Sequence, residues 1–225
     1  MSNQGFRIFT KIERPDKELV EKFRGLPTPN IADNMSRLFC LDSTIKPMNS
    51  TNLLGTAFTV RSRTADNLLF HKALDMARPG DVIVVEVHGD TINSVCGEIM
   101  MRYAKKRGIG GFLIDGCVRD LGGLKELDFA VFAKGATPMG PYKDGPGEIN
   151  VPVCCGGTVI NPGDIIVGDE DGVVIINPKD ALEVLVKAKA MFDKEQGIFK
   201  AIEDGTFDRS WIDRVLMEKG CEIID

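Results

Sequence analysis

The chain has 225 residues, of which 43% are apolar and 27% are charged, and its formal net charge is −5. This length and composition suit one globular domain of ordinary core size. The acidic balance, with no Lys/Arg run longer than Lys105–Arg107, argues against binding through nucleic-acid phosphates, so no nucleic-acid partner is expected.

The hydropathy and cysteine patterns predict a cytoplasmic protein. No apolar stretch approaches the roughly 20 residues of a membrane span, and the first residues lack the apolar segment of a secretory signal. The cysteines form no C-x-x-C pair, so they are expected to be reduced and mostly buried thiols. They are Cys40, Cys96, Cys117, Cys154, Cys155 and Cys221.

Two short helices are predicted near the N-terminus. The first covers residues 16–24, with Asp16 as its cap and Gly25 as its stop. The second begins at Thr28, because the following proline suits the first helical position. Its expected core-facing side chains are Ile31, Met35 and Leu38.

The next segment contains one of two Pro-Gly-Asp turns. A strand over residues 55–61 and a helix over 68–77 lead to Pro79-Gly-Asp81, which feeds an apolar strand over 82–87. Pro162-Gly-Asp164 feeds another apolar strand in the same way. The repetition indicates either one architecture used twice or a coincidence of common turn chemistry.

Strands and helices alternate through the middle of the chain, which predicts an α/β fold. The clearest helix is expected over residues 94–107, with Asn93 or Ser94 as its cap and Gly108 as its stop. The elements that follow are a strand over 111–115, a helix over 121–127 and a strand over 130–133.

The last third of the chain changes character. Gly- and Pro-rich residues 135–164 are expected to form loops and short strands, followed by strands over 165–167 and 173–176. A long amphipathic helix is predicted over 179–196, with a less regular tail after it. The chain therefore divides into a main domain, 1–178, and a C-terminal helical extension, 179–225, that packs on the same domain or on a neighbouring subunit.

Two short motifs carry the chemistry. Gly97 opens a helix whose first backbone N–H groups, at Ile99 and Met100, can face an anion. Arg119 and Asp120 directly follow an apolar strand, where ligands gather in open α/β sheets. Taken singly, the first motif is better explained as a plain helix N-terminus, and the second is equally consistent with a surface ion pair.

Taken together, the motifs predict a site for a small 2-oxo acid and a divalent metal. A strand–helix–strand path returns the chain from Glu98 to the same sheet edge at Asp120, so both carboxylates can share one ion, directly or through water. Arg119 can hold a substrate carboxylate with two parallel hydrogen bonds. The alternative for Glu98 is a first-turn acid that stabilises the helix dipole.

At these motifs the chain resembles the RraA-like family, which includes the class II 4-hydroxy-4-methyl-2-oxoglutarate / 4-carboxy-4-hydroxy-2-oxoadipate aldolases. The resemblance covers roughly residues 25–200. The segments that carry it are Gly97-Glu-Ile-Met100, residues 111–120, residues 132–138, Asn150-Val-Pro-Val153, Gly156-Gly157 and residues 162–174.

The resemblance implies a fold, an assembly and a set of roles. The fold is a swivelling β/β/α domain that forms homotrimers or hexamers with sites between subunits. Asp120 would bind Mg²⁺ or Mn²⁺, Arg119 the pyruvyl group, and the amides of Ile99 and Met100 its carboxylate. Glu98 stands where the aldolases carry an acid near the metal, and Glu195 is a candidate contributed by a neighbouring subunit.

The activity implied is retro-aldol cleavage of 4-hydroxy-2-oxo acids to pyruvate, together with oxaloacetate decarboxylation. One departure bears on turnover, because the family usually has an acid where this chain has Gly123. The alternative is a non-catalytic inhibitor of ribonuclease E, like the regulators of the same family. A third label of the family, menaquinone methyltransferase, is discounted because no glycine-rich nucleotide loop follows the first strand.

Other residues have competing interpretations. Lys105 and Lys134 are candidates for a Schiff-base route, although no motif demands it. An alternating set, Glu86, His88 and Asp90, suits either a metal site or a solvated strand face. His71 and the pair Cys154-Cys155 are predicted to be structural. Loops 62–67 and 139–149 are expected to set specificity.

Overall fold

The computed structural model describes residues 3–49 and 52–224, in which eleven strands and seven helices are defined. In chain order they are β1 (Phe6–Ile8), α1 (Lys17–Glu21), α2 (Thr28–Asp33), β2 (Lys46–Pro47), β3 (Leu53–Ser62), α3 (Leu68–Met76), β4 (Asp81–Cys96), α4 (Glu98–Lys106), β5 (Gly111–Val118), α5 (Leu121–Lys125), β6 (Ala130–Ala136), β7 (Gly147–Ile149), β8 (Val153–Cys155), β9 (Thr158–Ile160), β10 (Ile165–Asp169), β11 (Gly172–Ile176), α6 (Ala181–Glu203) and α7 (Trp211–Glu218). The predicted α/β class with a C-terminal helix is confirmed.

A nine-stranded sheet forms the centre of the molecule. Its main path runs β1-β7-β3-β4-β5-β6-β2. Strand β10, which pairs with β11, joins the first part of β3 on the same edge that β7 joins further along. The four central strands β3, β4, β5 and β6 are parallel. Strands β8 and β9 form a separate antiparallel hairpin.

The central strands are apolar on both faces because both faces are covered. Ile83 and Val85 point to a core shared with α3, α4 and α5. Val82 and Val84 alternate with them and point to a second core, shared with β8, β9, β10 and β11. This arrangement gives a helical layer, the parallel sheet and a second β layer.

The C-terminal extension packs on the chain over part of its length. One side of α6 is buried against β10, β11 and α2, and its buried residues are Ala181, Val184, Leu185 and Ala188. The predicted helix continues to Glu203. In contrast, α7 is amphipathic but has no buried residue in the isolated chain.

The two Pro-Gly-Asp turns have the same construction. In the first, Asp81 accepts a hydrogen bond from the Arg78 N–H at 2.8 Å. In the second, Asp164 accepts one from the Asn161 N–H, also at 2.8 Å. Both turn glycines have positive φ, and the turns lead to strands on opposite edges of β3. The chain therefore uses one turn architecture twice.

The structure corrects the predicted start of the central helix and the predicted direction of Leu38. Residues Ser94 to Cys96 continue β4, so the central helix begins at Glu98 with Gly97 as its cap. Pairing with β5 outweighs the local capping signal of Asn93 and Ser94. Leu38 does not face the core, because the chain leaves α2 through two left-handed residues and the side chain is 73% exposed.

Neither disulfides nor membrane-spanning helices occur in the described part of the chain. All six cysteines are free, and three of them are exposed rather than buried: Cys40, Cys154 and Cys221. The neighbours Cys154 and Cys155 point to opposite sides of β8, as adjacent strand residues do. Within residues 3–49 and 52–224, no helix combines the length and apolarity needed to cross a bilayer.

Replacement of Phe112 by Ala is expected to destabilise the helical side of the core. Its ring is fully buried and packs edge-on against Phe70 and Phe129, with centroids 4.9 Å apart in each pair. The expected loss in the free energy of unfolding is about 3 to 5 kcal/mol, measured by urea denaturation. Phe199→Ala is the control, because Phe199 is 53% exposed and its loss should stay near 0.5 kcal/mol. Equal losses would contradict this packing.

Candidate active site

The two functional motifs meet because β4 and β5 stay paired to their carboxyl ends. Glu86 pairs with Asp115, and Cys96 pairs with Val118. Between these pairs β4 takes a detour, which begins at the left-handed residues His88 and Gly89. Strand β4 is paired with β5 again at Cys96, so the residues that follow the two strands lie side by side.

Gly97 allows a close approach between the start of α4 and the Arg119-Asp120 pair. The Glu98 N–H donates a hydrogen bond to Asp120 Oδ2 at 3.0 Å. Asp120 adopts a left-handed conformation, with φ of 64°, as the cap of α5. A Cβ on Gly97 would overlap the Asp120 carboxylate and lie 3.1 Å from Arg119 Nε. This packing therefore requires glycine at position 97.

Arg119 is fixed through its backbone, and its guanidinium is half-exposed beside Asp120. Its N–H donates to the Cys96 carbonyl at 2.9 Å, which continues the pairing of β4 and β5. Its Nε lies 3.7 Å from Asp120 Oδ2, and the side chain is 45% exposed. A cation in this position can bind a substrate carboxylate while remaining next to the Asp120 carboxylate.

A cavity of about 170 Å³ lies at the start of α4. Its wall brings together most of the predicted site residues: Gly97, Ile99, Met100, Arg119 and Asp120. The rest of the wall comes from Asn67, His71, Val95, Cys96, Pro141 and Lys143. Arg119 and Asp120 also border a more open hollow with Ala136, Thr137 and Pro138.

The first-turn amides are not equally available to a ligand. The Met100 N–H donates to the Gly97 carbonyl at 3.0 Å, and that of Glu98 is used by Asp120. Of the two amides predicted to bind an anion, only that of Ile99 lacks a hydrogen-bond partner among the described residues. The Ile99 side chain is 83% exposed and does not block it.

The Glu98 side chain lies to one side of the cavity. Its carboxylate pairs with Arg102, one helical turn along α4, at 2.6 Å. It also lies against Gly123 of α5, where it occupies the space that a side chain would fill. Glu98 is therefore at the site, but the cavity wall does not include it.

Sequence reasoning missed three polar or charged wall residues: Asn67, His71 and Lys143. His71 was expected to be structural, yet it lies on the cavity wall together with Lys143 and Arg119. Asn67 and Lys143 each belong to one of the two loops, 62–67 and 139–149, that are expected to set specificity. A histidine near the start of a helix was the available signal for His71, but only the folded structure shows what that helix faces.

The loop that carries Lys143 is held by hydrogen bonds to the β4 detour and to loop 62–67. Ser94 donates both its N–H and its hydroxyl to the Met139 carbonyl, at 2.8 and 2.9 Å. Buried Asp66 accepts hydrogen bonds from the N–H groups of Asp144 and Gly145, at 2.7 and 3.0 Å. The two predicted specificity loops are therefore joined to each other beside the cavity.

The donor set fits a hydrated divalent ion held chiefly by Asp120. In the part of the chain that the structure describes, no group of three His, Cys, Asp or Glu side chains is arranged around a metal position. Mg²⁺ needs no such group, because it usually keeps several waters and uses one or two carboxylates. Among residues 3–49 and 52–224, both polar contacts of the Asp120 carboxylate involve Oδ2, which leaves Oδ1 available as a ligand.

Glu195 lies elsewhere in the single chain. It sits on α6 and accepts a hydrogen bond at 2.7 Å from Asn30, which is buried in α2. It does not line the cavity at the start of α4. Its contribution to the site of a neighbouring subunit stays a prediction.

The two lysines considered for a Schiff base lie away from this cavity. Lys134 pairs with Asp115 at 3.1 Å, on the face of the sheet opposite α4. Lys105 lies at the far end of α4, beside Pro79 and Gly108. The cavity itself contains a lysine, Lys143, that the motif analysis did not identify.

The alternating set on β4 does not form a metal site. Glu86 pairs with Arg61 at 3.0 Å, and Asp90 accepts hydrogen bonds from the N–H groups of Ile92 and Asn93. His88 has a left-handed backbone, with φ of 57°, which breaks the strand alternation on which the idea depended.

Burial lowers the pKa of His71 below its usual 6.5. The positive charge of Lys143 acts in the same direction, and the carboxylate of Asp75 opposes it. The neutral imidazole is therefore favoured at the cavity wall, where it can accept a proton.

Comparisons with known proteins point to one family. A sequence profile described as "RraA-like: Aldolase/RraA" matches residues 28–175. A protein from Halalkalibacterium halodurans, named "Putative 4-hydroxy-4-methyl-2-oxoglutarate aldolase", is 40% identical over 201 residues, which are 88% of this chain and 96% of that protein.

Two solved structures share the fold. An uncharacterized protein from Pseudomonas syringae pv. tomato superposes with a TM-score of 0.78 at 27% identity, covering 86% of this chain and 96% of that one. Streptomyces coelicolor RraAS2, described as an unusual member of the RNase ES inhibitor RraA protein family, superposes with a TM-score of 0.72 at 29% identity, covering 83% of this chain and 96% of that one.

Replacement of Lys143 by Gln is expected to raise the pKa of His71, because a positive charge that disfavours the imidazolium is removed. Lys143→Arg keeps the charge and should leave the pKa low. The measurement is an NMR titration of the imidazole, and equal pKa values in all three proteins would contradict the shared cavity.

The lowered pKa of His71 also makes the free energy of unfolding depend on pH. With the pKa of His71 lower in the folded chain, the unfolded chain binds more protons as the pH falls below the usual 6.5, so stability decreases in that range. Lys143→Gln should reduce this loss of stability at low pH. The measurement is urea denaturation at several pH values.

Proposed function

Because the chain belongs to the RraA-like family, we propose that it is a divalent-metal-dependent lyase that cleaves 4-hydroxy-2-oxo acids to pyruvate and decarboxylates oxaloacetate. The observation that carries the proposal is the shared cavity. There a half-exposed guanidinium, the Asp120 carboxylate and the amide of Ile99 lie together. These groups match the carboxylate and oxo oxygens of a pyruvyl unit.

The substrate carboxylate is placed by two kinds of donor. Arg119 offers parallel N–H groups that match the two oxygens. The Ile99 N–H adds a donor at the positive end of the α4 dipole, in a position shaped by Gly97. Glycine at position 97 is therefore useful twice, since it admits both Asp120 and the ligand.

Asp120, with Glu98 acting through water, would hold the metal. A bound Mg²⁺ or Mn²⁺ would supply Lewis-acid polarisation of the substrate's oxo group. Arg119 stabilises the negative charge that reaches the 2-oxo oxygen when the bond between carbons 3 and 4 breaks. His71 suits the role of accepting the 4-hydroxyl proton, because its neutral form is favoured on the cavity wall. Carbon 4 leaves as the carbonyl carbon of the second product, and carbon 3 takes up the proton that His71 has accepted, which gives pyruvate.

The assembly proposed for this enzyme is a homotrimer or hexamer. In that assembly Glu195 of a neighbouring copy would approach the cavity, which is open to solvent in the single chain. The second candidate function, inhibition of ribonuclease E without catalysis, has support from the similarity to RraAS2. Catalysis is preferred because the relative with the higher identity is named as an aldolase.

Asp120→Ala should abolish pyruvate release from oxaloacetate and from 4-hydroxy-4-methyl-2-oxoglutarate. The assay couples pyruvate to lactate dehydrogenase, with Mg²⁺, with Mn²⁺ and with EDTA. EDTA should stop the wild-type reaction, and added metal should restore it. Asp128→Ala is the control, because Asp128 is exposed and does not line the cavity. Rates that match the uncatalysed background in every condition would refute the lyase, and ribonuclease E inhibition would then support the regulator.

Arg119→Lys should lower kcat/KM by roughly 100-fold, the effect of losing one preorganised charge-stabilising donor. Lysine keeps the charge but cannot make the two parallel hydrogen bonds. Steady-state kinetics with both substrates measure the change. A variant with unchanged kcat/KM would show that Arg119 does not bind the reacting group.

A further inference from the structure

A buried carboxylate joins the two loops beside the cavity. Asp66 lies in loop 62–67, and its side chain is completely buried. Its Oδ1 accepts the Leu68 N–H at 2.9 Å, and its Oδ2 accepts the N–H groups of Asp144 and Gly145 at 2.7 and 3.0 Å. A buried carboxylate is costly unless it is paired or hydrogen-bonded. Two of the three amides that satisfy this one belong to the other loop.

That other loop, 139–149, forms one side of the cavity. Pro141 and Lys143 line the cavity, and an ideal Cβ on Gly140 would lie 3.0 Å from Arg119 Nη1. The loop therefore reaches the guanidinium at one point and adds a second cation, Lys143, to the same wall. The position of Lys143 relative to Arg119 depends on the contacts that hold this loop.

Lys143 lies between two attachments of different kinds. Before it, the main chain of Tyr142 donates to the Ala65 carbonyl at 2.7 Å and accepts from the Asn67 N–H at 3.1 Å. After it, the next two amides are both bound to the Asp66 carboxylate. Asp66 therefore holds the part of the loop that directly follows the lysine.

We propose that Asp66 is a positioning residue, which fixes Lys143 on the cavity wall and thereby sets the affinity of the cavity for an anionic substrate. Asp66 acts through the loop amides and is not itself part of the wall. An apolar side chain could fill such a position without burying a charge, but it could not hold two amides of another loop. The inference rests on the proposed function, which supplies the anion.

The first experiment separates substrate binding from turnover. Asp66→Asn keeps the size of the side chain but leaves one acceptor oxygen, so it cannot hold both loops. It should raise KM for oxaloacetate by about 10-fold or more, because displacement of a charged contact weakens binding by at least that factor. The value of kcat should stay close to wild type, the pattern expected when a binding interaction is lost. An unchanged KM would overturn the proposal.

The second experiment tests whether Asp66 acts through Lys143. Lys143→Gln should raise KM by a similar factor. Adding Asp66→Asn to that variant should then change KM little further, because the cation that Asp66 places is already gone. Fully multiplicative effects on KM in the double variant would overturn the proposal.

The third experiment needs neither metal nor substrate. In the NMR titration, Asp66→Asn should raise the pKa of His71 as Lys143→Gln does, since a displaced ammonium opposes the imidazolium less while the carboxylate of Asp75 remains. In wild type, the amides of Asp144 and Gly145 should be protected from hydrogen exchange, a test that requires no variant to fold. An unchanged pKa, or fast exchange of both amides, would contradict the anchor.

Asp169→Asn is the matched control. Asp169 also joins two segments, since it accepts the N–H groups of Thr28 and Asp171 at 2.8 and 3.0 Å, and it does not line the cavity. Its replacement should lower Tm without changing KM or the pKa of His71. Equal changes of KM in the two variants would indicate general destabilisation and overturn the proposal.

The outcomes also separate this inference from the proposed function. Wild-type turnover with no effect of Asp66→Asn on KM would refute the positioning role while the lyase proposal stands. A wild-type chain that releases no pyruvate would refute both the lyase and the role of Asp66 in substrate binding.

Discussion

The site depends on one constraint, the pairing of β4 with β5 up to Cys96 and Val118. Parallel strands that end together place the residues after them at one edge of the sheet, and here those residues are Gly97 and Arg119. The detour within β4 interrupts the regular pairing before Cys96, but it does not displace the end of the strand from β5. The hydrogen bond from the Glu98 N–H to Asp120 then joins the two helix starts. Cavity, cation and carboxylate all follow from this pairing.

Much of the fold was predictable because its signals are local. Apolar runs identified the central strands, and the Pro-Gly-Asp turns placed the starts of β4 and β10. The start of α4 was predicted too early, at Ser94, because a capping residue carries no information about the partner strand that keeps it extended. Leu38 shows the same limit, since the left-handed residues before it redirect a helical pattern.

The candidate site was predictable in its contiguous motifs and not beyond them. The sequence identified Arg119, Asp120 and the helix start at Gly97, because ligands bind at strand ends in α/β sheets. His71 and Lys143 come from separate segments, and only their packing brings them to the cavity. The direction of the Glu98 side chain was equally hidden, because it depends on a missing side chain at position 123 of another helix.

The loop that carries Lys143 has a further consequence for how such proteins diverge. Most of its attachments use its own main chain: the carbonyls of Met139 and Gly140 accept from Ser94 and Asn93, and the amides of Asp144 and Gly145 donate to Asp66. Anchors of this kind do not depend on which side chains the loop bears. Mutation can therefore exchange those side chains while the loop keeps its place, so descendants of one ancestor can acquire new substrates without rebuilding the scaffold.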